Sequence, residues 1–146
     1  MAKNKFLFWQ RWLLVIGSLI TLFGLFMALF NDTVLFAFFN AQIDPVFWDS
    51  QVLPSEWLAF RTWVYGVWGA TVAGWGLMIT FLTHTLFRKQ VLSAWKALVA
   101  ALLVWYVIDT IISFGYEVYF NAVFNTILLV LAGLPLGFTL RYFKGD

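Results

Sequence analysis

The chain has 146 residues, 63% of them hydrophobic and 11% charged, with a formal net charge of +2 and a mean hydropathy of +0.88. Soluble domains are roughly half apolar and a quarter charged, so this composition belongs to a bilayer protein. The basic residues stand beside apolar runs, where they act as topology signals, and nucleic acid is set aside as a partner.

The lack of cysteine excludes disulfide frameworks, thiol relays, iron–sulfur clusters and lipid attachment at cysteine. A single histidine, His84, cannot furnish bis-histidine haem or a histidine-rich metal site within one chain. No cofactor is expected.

At the N-terminus, Lys3, Lys5 and Arg11 precede an apolar run from Leu13 to Phe30. The run is long enough to span and ends in large residues, so it reads as a retained helix over about 7–30 and not as a cleaved signal peptide. Gly17, Thr21, Gly24 and Ala28 fall on one stripe, where another helix can approach closely.

Residues 31–56 are long for a connector and too apolar for a disordered one. TVLFAFF within it is too short to span, which predicts an interfacial or re-entrant segment. Asp44-Pro45 signals a turn. Ser55 is a candidate N-cap for the next helix.

The second span runs over about 56–84 and carries one charge in its apolar body, Arg61. Gly66, Gly69, Ala70, Ala73, Gly74 and Gly76 run through its centre and predict close helix packing. Trp68 and Trp75 lie at mid-depth, where they are expected to pack on those surfaces. The third and fourth spans cover about 91–114 and 116–141, with Gly115 as the hinge of a tight hairpin. Pro135 is expected to kink the fourth, and Gly133 and Gly137 form a GxxxG pair around it.

Under four spans, Lys3, Lys5, Arg11, Arg88, Lys89, Lys96, Arg141 and Lys144 fall on one side, and Asp32, Asp44, Asp49, Glu56 and Glu117 on the other. The positive-inside rule then puts both termini in the cytoplasm. Trp9, Trp12 and Trp95 fall near the inner interface, and Trp48, Trp57, Trp63, Tyr116 and Tyr119 near the outer one.

The polar residues converge near that outer side. At ~1.5 Å per residue, Arg61 and Asp109 lie about 6–7 Å below the same interface, which predicts an ion pair between the second and third spans. Two roles are open for it: a structural clamp, or a site for a headgroup or a proton. Trp105, Asp109 and Ser113 share one face of the third span. Glu117, Asn121 and Asn125 share one face of the fourth, and Arg61 and Tyr65 one face of the second. These residues either line a cavity open outward or simply cross-link helices. Residues 31–56, with Asp44, Trp48 and Asp49, either cover such a cavity or anchor in the interface.

YGVWGATVAGWG and WYVIDTIISFGYEVYFNAVFN look like stretches of small uncharacterised four-helix bacterial membrane proteins. With Arg61 and Tyr65-Gly66 opening the second span, the arrangement resembles DoxX-like proteins over about two-thirds of the chain. The resemblance implies a four-helix inner-membrane fold and carries no assured activity. A sterol-isomerase-like family is a further candidate relative, but its intramembrane histidine and glutamates have no counterpart here.

The sequence thus predicts an all-α integral membrane protein: a four-helix bundle with both termini inside and an interfacial or re-entrant outer segment. No Ser/His/Asp set, phosphate loop or metal-ligand spacing is present, which leans away from an enzyme. The first expectation is a non-catalytic subunit of a homo-oligomer or larger membrane complex. The second is a binder or enzyme for a lipid, quinone or other amphiphile, and the third a small oligomeric transporter or channel.

Overall fold

A computed structural model describes residues 2–48 and 54–143. Asp49 and Lys144, two of the charges used above for orientation, lie outside them. The described residues fold into five α-helices: α1 (Ala2–Phe30), α2 (Ala37–Phe47), α3 (Ser55–Leu82), α4 (Leu92–Gly115) and α5 (Tyr119–Thr139). A π-helical turn, Thr83–Phe87, extends α3, and a 3₁₀ turn, Leu140–Tyr142, extends α5. All helices except α2 are long and apolar enough to cross a membrane.

The strongest contact in the bundle is between α1 and α3, and its cause is backbone proximity. A Cβ on Gly24 would stand 2.3 Å from the Ala73 nitrogen, and one on Gly69 would stand 2.4 Å from the Ala28 nitrogen. A Cβ on Gly76 would meet the Thr21 nitrogen at 2.4 Å. No side chain larger than hydrogen fits at any of the three. Between apolar helices in lipid, such dispersion contact replaces the hydrophobic effect as the adhesive. Thr21 and Thr80 sit in the same seam, and each hydroxyl donates to its own helix at 2.9 Å, to Gly17 O and Gly76 O. The seam therefore leaves those hydroxyls satisfied.

The predicted stripe on α1 is this seam, and Gly69, Ala73 and Gly76 are its other half. Gly66, Gly74, Gly133 and Gly137 take no part: a Cβ on Gly66 would find its nearest neighbour at 3.8 Å, and the others would find nothing within 4 Å.

Helix α5 packs on both α1 and α4, so the helices run α3, α1, α5, α4 around the bundle. Pro135 lies within α5 and supplies no N–H for the carbonyl of Leu131, one turn earlier. The indole of Trp12 donates to that carbonyl at 2.9 Å, and the indole of Trp95 donates to Leu136 O at 2.9 Å. Both tryptophans, expected as interfacial belt residues, direct their N–H groups inward onto α5. At the same end Phe6 stacks on Phe87 and both pack at steep angles on Phe143, joining α1, the π turn and the chain beyond α5. Gln10 donates to Thr83 O within the π turn.

Several expected boundaries move. Asp44-Pro45 does not turn the chain: both lie in α2, with Pro45 in its last turn. Ser55 is the first residue of α3, which starts after Pro54 with no side-chain cap. The α4–α5 hairpin does not hinge on Gly115, which ends α4. The chain reverses over Tyr116–Val118, where Glu117 takes φ 61. That break costs the fourth span its first turn.

Candidate functional site

The ring of helices does not close. Helices α3 and α4 meet chiefly through the π turn and through Trp75 and Trp105, whose rings lie 5.1 Å apart. Beyond that pair, away from the chain termini, they part around a cavity of about 680 Å³. Helix α3 lines it with Phe60, Arg61, Val64, Tyr65 and Trp68, and α4 with Val104, Trp105, Ile108, Asp109, Ile112 and Ser113. Ile43, Phe47 and Trp48 border it from α2 and its C-cap, and Asn121 from α5. A second cavity of about 360 Å³ lies behind the first, among α1, α3 and α5, and reaches Asn125 and Leu128. Ile43, Tyr65, Trp68, Trp105, Asp109 and Asn121 border both.

Asp109 is the centre of the polar wall. Its Oδ1 accepts from Asn121 Nδ2 at 2.7 Å and Asn125 Nδ2 at 2.8 Å, with Ser113 Oγ 3.2 Å from the same atom. Asn121 uses its second amide hydrogen on Ser113 Oγ at 2.8 Å. The Ser113 hydroxyl donates its single proton to its own helix, Oγ lying 2.7 Å from Asp109 O. The i, i+4 spacing explains the convergence. Asp109 and Ser113 are one turn apart on α4, Asn121 and Asn125 one turn apart on α5, and the two stripes face each other. Asn125 is buried, and its Nδ2 is satisfied within this network. Asp109 Oδ2 accepts from no side chain among the described residues.

The predicted ion pair between Arg61 and Asp109 is not formed. Arg61 Nη1 instead donates to Asp44 Oδ2, the one salt bridge among the described residues. Depth counting compared only the spanning helices, whereas α2 folds back over the cavity and carries Asp44 to the guanidinium. Asp44 Oδ1 and Arg61 Nε are buried without partners among the described residues. Burial pushes the Asp44 carboxyl above its ordinary range, outweighing the lowering effect of Arg61 beside it. Asn40, one turn earlier on α2, donates to Asn31 O at 3.1 Å and ties α2 to the end of α1.

Glu117 is also corrected. It sits exposed on the turn before α5 and borders neither cavity, because the helical period that placed it with Asn121 is interrupted at Val118. Arg61, Tyr65, Trp105, Asp109, Ser113 and Asn121 all border the larger cavity as a group, and Asn125 the smaller. Reading the sequence left Ile43, Phe60 and Ile108 out of the site. Ile43 gives no signal, since it adjoins the turn expected at Asp44-Pro45 in the interfacial or re-entrant segment; Ile108 is one residue from Asp109 on a four-residue period. Among the described residues no group of His, Cys, Asp or Glu is placed to hold a metal ion.

No protein-family model, curated protein or solved structure matches this chain. The resemblance to DoxX-like proteins therefore rests on Arg61, Tyr65-Gly66 and the two quoted stretches alone.

Proposed function

We propose that this chain is a non-catalytic bacterial inner-membrane protein that holds an amphiphile in the cavity between α3 and α4. The carrying observation is the cavity itself: about 680 Å³, aromatic and aliphatic over most of its wall, with Asp109 and Arg61 on that wall. Ligand sites of ~300–1,000 Å³ with apolar walls and a few placed polar groups suit a molecule with one polar end. The parting of α3 and α4 gives such a molecule a lateral route from lipid. Helix α2, with no buried residue of its own, serves as a cover over the polar end.

In this reading both termini are cytoplasmic and α2 lies at the outer interface. Lys3, Lys5, Arg11, Arg88, Lys89 and Arg141 cluster at one end of the bundle; Asp32, Asp44, Glu56 and Glu117 cluster at the other. The positive-inside rule supports that orientation.

A ligand bound only by the folded state raises stability by mass action. Protein extracted gently is expected to melt several degrees higher than the same protein stripped of lipid, and a total lipid extract should restore the difference. Ile108→Trp, which fills the cavity from α4, should abolish it. If stripped and unstripped wild type melt alike, the cavity holds nothing.

The second reading is an accessory subunit of a homo-oligomer or larger complex. It draws on Gly74, Gly133 and Gly137, beside which there is open space, so these small-residue surfaces are unused within one chain. Stable co-extraction of other protein chains in fixed ratio would favour it.

A further inference from the structure

We infer that the amphiphile carries a positive charge at its polar end, as a protonated amine, and that Asp109 Oδ2 receives it. The inference rests on the amphiphile reading and adds the chemical class of the ligand. Three observations on the wall carry it.

The first is charge. Of the three charged side chains bordering or covering the cavity, Arg61 is already bonded to Asp44, which leaves the Asp109 carboxylate without a cation among the described residues. A carboxylate at the depth of a spanning helix calls for a compensating charge or strong hydrogen bonding. The network supplies hydrogen bonds from neutral groups only.

The second is direction. Both amide donors, from Asn121 and Asn125, fall on Oδ1, with the Ser113 hydroxyl oxygen 3.2 Å from the same atom. They fix the carboxyl on one side and leave Oδ2 to accept from whatever occupies the cavities that Asp109 borders. An N–H⁺ donor satisfies both needs at one atom.

The third is the surrounding wall. Tyr65, Trp68 and Trp105 border both cavities with Asp109, and Phe60 and Trp48 border the larger one. Ring faces attract an ammonium group in a desolvated site, and they offer an anionic headgroup nothing comparable. An anionic amphiphile would meet a carboxylate with the only nearby guanidinium engaged. A neutral alcohol would keep the hydrogen bond and forgo the charge.

The test uses dodecylammonium and dodecanol, each carrying the same photoactivatable diazirine in its chain, added to the full-length protein in lipid nanodiscs. Labelled residues are mapped by peptide mass spectrometry. The ammonium probe should label the α3 and α4 cavity residues more heavily than the alcohol, on the order of tenfold. Asp109→Asn should remove that preference, and Asp109→Glu should keep part of it. Equal labelling by the two probes, or a preference that survives Asp109→Asn, overturns the inference and leaves the amphiphile reading standing. Labelling of the cavity no greater than that of lipid-facing residues such as Leu22 overturns both. Should Asp109→Asn fail to fold, Asp44→Asn decides. It frees the Arg61 guanidinium on the same wall, so the ammonium preference should fall several-fold, and an unchanged preference contradicts the inference.

Discussion

Asp44 is pulled in two directions. Burial where α2 meets α3 raises its carboxyl above the ordinary value of 3.8, and Arg61 opposes that shift without cancelling it. A folded-state value above the unfolded one means the native protein binds the proton more tightly. The contribution of Asp44 to stability is then fullest below the ordinary aspartate range and is lost as pH rises through the raised value. Wild type should accordingly gain stability over Asp44→Asn as pH falls from 7 toward 3.8, measured by thermal melting in one detergent. A constant difference across that range would show that burial does not govern Asp44. At this scale the sequence spoke through periodicity and was mute about partners. Asp109, Ser113, Asn121 and Asn125 were legible as facing stripes because a helical face fixes direction. The partner of Arg61 was not, since two residues at equal depth need not touch, and Asp44 reaches it from a segment with no spanning signal.

Among the elements, α5 shows how a helix that cannot satisfy itself recruits its neighbours. Pro135 leaves Leu131 O without its usual donor, and the Trp12 indole occupies the place. Trp12→Phe should then cost about 1–2 kcal/mol, the desolvation penalty of a stranded acceptor. Pro135→Ala restores a backbone donor for that carbonyl, so in its background Trp12→Phe should cost clearly less. Additive losses in this double-mutant cycle, read by unfolding in mixed micelles, would refute the pairing. The α1–α3 seam makes a contrasting demand. Gly24→Val forces a Cβ to 2.3 Å from backbone and should destabilise by roughly 2 kcal/mol or more, whereas Gly133→Val, with nothing within 4 Å, should cost little. The seam was legible because small residues repeat at helical spacing on both partners. The glycines that face outward carry the same signature, and composition alone does not separate them. The tryptophans carry a similar ambiguity: an indole at a helix end suits the interface and a bare carbonyl equally well, and Trp12 and Trp95 donate to carbonyls of α5.

For the whole molecule, hydrophobic length made the four spanning helices plain, while the short α2 escaped because Asp44-Pro45 resembles a turn and its apolar residues are too few to span. Yet α2 is what completes the cavity: it covers the gap that α3 and α4 leave and brings Ile43, Phe47 and Trp48 to its rim. Orientation is open to direct measurement, since the chain has no cysteine to confuse labelling. A cysteine at Val34, which is exposed beside α2, should react with an impermeant maleimide from outside the cell. One at Gln90, on the α3–α4 turn, should react only after the membrane is opened. Reversal of the two would invert the proposed topology.

Occupancy of that cavity is the claim on which the rest depends, and native mass spectrometry of protein released gently from its own membrane reads it directly. The expected spectrum shows the chain, alone or as a homo-oligomer, carrying one defined small amphiphile per copy. Ile108→Trp should remove that mass. Bare chains under the gentlest release, or chains held only to other proteins in fixed ratio, would contradict the account and leave the polar wall around Asp109 a structural feature of the bundle.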